Sequence, residues 1–92
     1  MASAAFYMVY VDRKEDVTYK ELEKKMNLAV DWYRINSQLW ILYTTSDEEK
    51  WYSRLESLVK PGGHVFICKL DKSKRQGWMK KDFWKWMRRE KN

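Results

Sequence analysis

An unbroken apolar run near the start of this 92-residue chain constrains its fold more than any other feature. Residues 5–11 (AFYMVYV) are aliphatic, aromatic or methionine side chains, and the run ends at Asp12. Because the side chains of a strand alternate between the two faces of its sheet, such a run predicts a strand that is buried on both faces. We therefore expect this strand in the middle of a sheet.

Two capping patterns predict the helices that follow. Thr18 with Glu21 forms a capping box before a first helix, and Ser46 with Glu49 forms another before a second helix. The second helix is expected to stop at residues 61–63 (PGG). The apolar stripes of the two helices are expected at Leu22, Met26, Ala29 and Val30 and at Trp51, Leu55, Leu58 and Val59.

The remaining segments complete a known order of elements. Residues 32–35 and 38–43 are predicted to form a hairpin about Asn36 and Ser37, and residues 65–70 form a last strand. The order β-α-β-β-α-β predicts one ferredoxin-like α+β domain over residues 1–92, with an antiparallel four-stranded sheet of order 4-1-3-2. Residues 71–92 would add a basic linker and a C-terminal helix.

Two helices can cover only one face of a four-stranded sheet. Because half of the apolar first strand points to the other face, that face must also be covered. Either the extra helix or a second copy of the sheet would serve. We favour a homodimer.

Positive charge is concentrated near the end of the chain. Residues 69–92 carry ten Lys or Arg and three Asp or Glu, a net charge of +7, whereas the whole chain is +6 and residues 1–68 are therefore −1. This polarity indicates a polyanionic partner, RNA or DNA. The expected phosphate contacts are Lys80, Lys81, Lys85, Arg88 and Arg89, with Arg13 and Lys14 extending the surface. Alternatively these cations are only a solvated helix face; Trp78 and Trp86 are expected to pack on the sheet or on a partner subunit.

Asp12 is the strongest candidate for a catalytic or metal-binding residue. The topology gathers Asp12, Asp16, Asn36, Ser37, Gly63 and His64 at one edge of the sheet and leaves Asp71 at the other. Near a two-fold axis, Asp12 would meet its symmetry mate, and two carboxylates held close need a proton or a divalent cation, Mg²⁺ or Mn²⁺. His64 is a candidate acid or base beside it. The plainer alternatives are that Asp12 only ends the strand and that His64 is solvated.

Other classes of site find no support in the sequence. Cys68 is the single cysteine, which excludes an internal disulfide and favours a reducing cytoplasm; we expect it in the core. No clustered zinc ligands or phosphate-binding glycine loop occur. We also predict neither a signal peptide nor a membrane span.

Three segments resemble a known family: residues 6–12 (FYMVYVD), the aromatic hairpin with DWYR at 31–34 and LWI at 39–41, and the tail at 76–86 with its QGW and FWKW. They resemble the small bacterial proteins of the SinR family. These are similar to the CRISPR-associated endoribonuclease of the spacer-adaptation module and to virulence-associated protein D toxins. This chain has Val11 where the family pattern has Tyr before the aspartate, and it ends in a helix where the adaptation proteins end in a strand.

The resemblance implies a ferredoxin-like homodimer in which Asp12 takes part in metal-dependent cleavage. We therefore expect a nucleic-acid-binding dimer and consider a weak metal-dependent endoribonuclease activity. The alternative is a non-catalytic module, toxin-like or phage-encoded, that binds a protein partner through the aromatic basic C-terminal helix. A third, purely structural reading has that helix exchanged between subunits to close the dimer.

Overall fold

The strands and helices follow each other in the predicted order. A computed structural model describes residues 3–71 and 73–88. Its elements are β1 (Ala5–Asp12), α1 (Tyr19–Met26), β2 (Asp31–Arg34), β3 (Leu39–Thr44), α2 (Glu48–Val59), β4 (His64–Lys69) and α3 (Lys81–Arg88). Within these described ranges, no helix has the length and apolar character needed to cross a membrane.

The four strands form one antiparallel sheet with β1 in its interior. The strand order is β2-β3-β1-β4, which confirms the predicted arrangement. At the middle of β1, Met8 pairs with Ile41 of β3 on one side and with Cys68 of β4 on the other. The apolar run occupies the position where both faces of a strand are most readily covered, as the sequence indicated.

Helices α1 and α2 cover one face of the sheet and form the larger core with it. Val9 and Val11 of β1 point into this core, and Trp40 and Leu42 of β3 lie beside them, all fully buried. The helices contribute Leu22, Met26, Trp51, Leu55, Leu58 and Val59. All but two of the stripe residues expected from the sequence are therefore buried; Ala29 is partly buried against this core, and Val30 lies in the exposed turn after α1.

Helix α3 packs on the opposite face, on the sheet of its own chain. Its Phe83, Trp86 and Met87 form a second core with Phe6 and Ile41. The Trp86 ring meets Phe6 edge-on at 5.7 Å between centroids. Cover for this part of the sheet is thus supplied within one chain, by the extra helix rather than by a second copy.

The cover that α3 provides is incomplete. Beyond it, on the same face, Phe66 of β4 is 60% exposed, and Cys68 is exposed as well. The prediction that Cys68 belongs to the core is wrong. Because β4 is an edge strand, side chains of this face lie in solvent wherever α3 does not reach.

Helix α1 ends at Met26, before Ala29 and Val30, and two other boundaries also differ from the predictions. Helix α2 is capped by Asp47, whose carboxylate accepts a hydrogen bond from the Lys50 amide at 2.9 Å, rather than by Ser46. Helix α3 begins only at Lys81, so Trp78 precedes it and does not pack on the sheet. The capping box of Thr18 and Glu21, by contrast, has both of its hydrogen bonds.

Candidate functional site

The end of β1 carries the predicted pair of Asp12 and His64. These residues are cross-strand partners between β1 and β4, which places both side chains on the same face of the sheet. Oδ2 of Asp12 lies 3.4 Å from Nδ1 of His64. The imidazole is 75% exposed and the carboxylate 39% exposed, so the pair lies at the surface and is open to a ligand.

Two turns hold this pair in place. Gly63 precedes β4 and lies so close to β1 that any side chain there would collide with the backbone carbonyl of Asp12. Asn36 closes the β2–β3 turn, since its side-chain oxygen accepts hydrogen bonds from the amides of Gln38 and Leu39 at 2.9 and 3.0 Å. Position 63 therefore requires glycine, and the Asn36 side chain stabilises the β2–β3 turn.

Gln38 is a member of this site that the sequence analysis missed. Its backbone carbonyl accepts a hydrogen bond from the Val11 amide, and its side-chain amide donates a long one of 3.5 Å to Oδ1 of Asp12. Continuing the β1–β3 pairing past Tyr10 and Leu39 would have placed Gln38 opposite Val11, the neighbour of Asp12 in the chain. A cleft of about 290 Å³, the Asp12 cleft, is lined by Asp12, Arg13, Lys14, Glu15, Ser37 and Gln38 together with Val11 and Val17.

The Asp12 cleft of a single chain does not fit a divalent cation. Within residues 3–71 and 73–88, no group of three or more His, Cys, Asp or Glu side chains could hold a metal ion. Asp12 and Glu15 are the two carboxylates along the cleft, His64 beside Asp12 is a nitrogen ligand, and Gln38 presents its amide nitrogen, whereas Mg²⁺ and Mn²⁺ favour more oxygen ligands than these. We derive no reaction step through a metal in one chain.

The other acidic candidates lie elsewhere. Asp16 is exposed and does not line the Asp12 cleft. Asp71 lies at the opposite end of the sheet, as expected. Its carboxylate accepts hydrogen bonds from the hydroxyl and amide of Ser73, which hold the pKa of Asp71 below its ordinary value.

Arg13 and Lys14 lie at the Asp12 cleft, away from α3. The Arg13 guanidinium donates to the Val17 carbonyl at 3.0 Å and lies over the Tyr19 ring, so it already has a packing role. Helix α3 packs near Phe6, six residues before Asp12 along β1, which corresponds to about 20 Å of strand. The two groups of cations therefore form separate patches.

The predicted cations of the C-terminal segment gather on the outer side of α3. Lys80, Lys81, Lys85 and Arg88 are all exposed, and Arg89 lies outside the described residues. Lys81, Lys85 and Arg88 line a cleft of about 540 Å³ together with the half-buried Trp84. We call Lys80, Lys81, Trp84, Lys85 and Arg88 the α3 basic surface.

A hydrogen bond ties the start of α3 to the sheet beneath it. The Tyr33 hydroxyl donates to Oδ1 of Asp82 at 3.1 Å. Burial of Tyr33, with this hydrogen bond and the negative charge of Asp82, raises the pKa of the Tyr33 hydroxyl above its ordinary value. At the other end of the helix, Trp86 Nε1 donates to Asp31 at 2.9 Å, so both contacts fix which side of α3 faces outward.

Comparisons with known proteins add no assignment. No protein-family model matches the chain, and neither curated proteins nor solved structures gave a significant match. The function is therefore inferred from the geometry of the chain itself and from the resemblance carried by its sequence motifs.

Proposed function

We propose that this protein binds nucleic acid through the α3 basic surface. The observation that supports the proposal is that α3 has a buried apolar side and an exposed basic side. Phe83, Trp86 and Met87 are buried on the sheet, while the cations Lys81, Lys85 and Arg88 are exposed together.

The charge of this segment suits a phosphate backbone. Residues 73–88 contain six Lys or Arg and one acidic residue, Asp82, whose carboxylate accepts the hydrogen bond from Tyr33. Repulsion among these cations is relieved when a polyanion binds and releases its counterions. Contacts of this kind are independent of base sequence and weaken steeply as salt rises.

The test compares two triple variants with the same change in net charge. Lys81→Glu, Lys85→Glu and Arg88→Glu together should reduce binding of a labelled RNA or DNA oligonucleotide and flatten its salt dependence. For three lost phosphate contacts, the slope of log K against log salt should fall by about 2–3. The matched control is Lys20→Glu, Lys24→Glu and Lys50→Glu, three exposed lysines on α1 and α2.

The control variant should bind more tightly than the α3 variant at every salt concentration. Equal weakening by the two variants would show that only the overall charge matters, and the α3 basic surface would then lose its assigned role. Absence of salt-dependent binding by the unmodified protein would contradict the proposal altogether.

Ribonuclease activity is the second candidate, and the contact between Asp12 and His64 favours it. It also agrees with the family resemblance, in which the aspartate ending β1 takes part in metal-dependent cleavage. Because one chain offers the Asp12 and Glu15 carboxylates here and no group of three metal-binding side chains occurs among the described residues, a shared Mg²⁺ or Mn²⁺ requires Asp12 from two copies. This candidate therefore includes the homodimer, formed through the part of the sheet face that α3 leaves open around Phe66.

Cleavage of a labelled single-stranded RNA, with Mg²⁺ or Mn²⁺ and with a chelator, tests this candidate. Asp12→Asn should reduce cleavage by about 100-fold or more, the scale of a lost catalytic group. Asp71→Asn, at the opposite end of the sheet, should cleave as the unmodified protein does. Unchanged cleavage in Asp12→Asn would point to a contaminating nuclease or to another site.

A further inference from the structure

The side chain of Trp78 is exposed to solvent, which is unusual for so large an apolar side chain. It lies between β4 and α3 and is 98% exposed, whereas the other five tryptophans are buried or half-buried. Single exposed apolar residues are common on proteins, so exposure alone assigns nothing to Trp78. Its surroundings supply the second observation.

A lysine borders the cleft beside Trp78. The cleft, of about 380 Å³, is lined by Tyr33, Arg34, Ile35, Trp78, Met79 and Lys80. Lys80 is exposed at this cleft and no carboxylate is among the lining side chains, whereas the Arg34 guanidinium lies 5.0 Å from the Tyr19 ring centroid, toward the α1 and α2 face of the sheet. A ligand that fills this cleft would meet an aromatic ring and positive charge together.

The same combination is repeated six residues along the chain. Trp84 lies in the cleft bordered by Lys81, Lys85 and Arg88, and the Arg75 guanidinium lies 5.9 Å from its ring centroid. Two tryptophan rings thus lie next to cations: Trp78 beside Lys80, and Trp84 beside Lys81, Lys85, Arg88 and Arg75. This is the combination by which proteins hold a single strand, with bases stacked on rings and phosphates beside amines.

We propose that Trp78 is a base-stacking residue for single-stranded nucleic acid, with Lys80 contacting an adjacent phosphate. The inference rests on the proposed nucleic-acid-binding function and narrows its substrate class. In a duplex the bases already stack on one another and offer no free face to Trp78. An acidic protein segment would satisfy the cations but carries no nucleobase to stack on the ring.

The experiment measures affinity for a labelled oligouridine strand and for a duplex of the same length. Trp78→Ala should weaken binding of the single strand by about 5- to 150-fold and leave duplex binding nearly unchanged. Trp78→Phe should restore most of the single-strand affinity, because a smaller ring still stacks. Since Trp78 is almost fully exposed, neither change should alter the thermal unfolding midpoint.

Tyr52→Ala is the matched control. Tyr52 is also an exposed aromatic residue, but it lies on α2 in a groove with Glu48 and Glu49. Its removal should leave binding of both oligonucleotides unchanged. As an independent readout, adding oligouridine should quench tryptophan fluorescence, and Trp78→Phe should lose a distinct part of that quenching.

The possible outcomes distinguish a failure of base stacking by Trp78 from a failure of the proposed nucleic-acid binding. If Trp78→Ala keeps the salt-dependent binding of the unmodified protein, base stacking by Trp78 is contradicted, but the role of the α3 basic surface is not. Equal losses for single strand and duplex would also overturn it, as would equally tight binding of polyglutamate, the probe for an acidic protein partner. If the unmodified protein binds no nucleic acid at low salt, the proposed function itself fails.

Discussion

At the scale of single residues, Thr44 shows how a polar group becomes part of the core. It ends β3 and is 2% exposed. Its hydroxyl accepts hydrogen bonds from Nε1 of the fully buried Trp51 and from the Ser46 amide, both at 3.1 Å. One oxygen therefore joins the sheet to α2 and satisfies a buried indole.

We expect Thr44→Val to lower the free energy of unfolding by about 1–3 kcal/mol. The valine side chain has a similar shape, but it leaves the buried Trp51 donor without an acceptor. Thr45→Val, at the exposed neighbouring position, is the control and should change stability little. Chemical denaturation with Trp fluorescence measures both, and equal effects would show that the hydrogen bond to Trp51 contributes nothing.

At the scale of elements, the first turn of α2 shows where a sequence pattern is ambiguous. Ser46 and Asp47 are both good N-cap residues, and each has a Glu or Lys three positions later. The amide of Ser46 is held by Thr44, so the helix starts one residue later and Asp47 becomes the cap. A contact with the end of β3 thus decides between two adequate local signals.

Asp47→Ala should therefore destabilise the protein by about 1 kcal/mol, because it removes the acceptor for the Lys50 amide. Ser46→Ala should have a much smaller effect, since only the backbone amide of Ser46 takes part in the turn. Thermal unfolding of the two variants provides the comparison. A larger loss of stability for Ser46→Ala than for Asp47→Ala would show that Ser46 is the cap, as the sequence predicted.

At the scale of the whole molecule, the two ends of the sheet differ in character. Helix α3 covers the end near Phe6 and brings positive charge with it, while Phe66 remains exposed toward the end that holds Asp12 and His64. A homodimer formed through the part of the sheet face that α3 leaves uncovered would bury Phe66. It would also bring the Asp12 residues of the two copies closer together, as a shared cation requires. This surface and the α3 basic surface are separate, so each can be tested without the other.

We expect Phe66→Lys to convert any dimer to a monomer, because a charged side chain would be buried against its own copy. Leu28→Lys is the control, since Leu28 is similarly exposed at 57% but follows α1 on the other face. Sedimentation velocity over a range of concentrations measures the outcome. A monomer at every concentration of the unmodified protein would end the shared-cation hypothesis and leave nucleic-acid binding by α3 untouched.

The strands and the helices on one face could be predicted because they depend on local patterns, and the order of the sheet could be inferred from the order of these elements along the chain. The unbroken apolar run of β1 required an interior position, and the topology then brought Asp12 and His64 together. The contribution of Gln38 depends on the register of β1 against β3, and the exposure of Cys68 depends on how far α3 reaches. Neither property is determined by the sequence next to Gln38 or Cys68.

The sequence by itself determined that this chain forms a ferredoxin-like sheet with an amphipathic basic helix at its end, because hydrophobic periodicity and capping act over a few residues. Only the tertiary structure decided that α3 covers its own sheet and begins after Trp78. The docking of Phe83, Trp86 and Met87 orients the helix, and that orientation leaves Trp78 exposed to solvent beside Lys80. Burial of one side of a helix over distant strands is a property of the folded chain, and it is what exposes the surface proposed to bind nucleic acid.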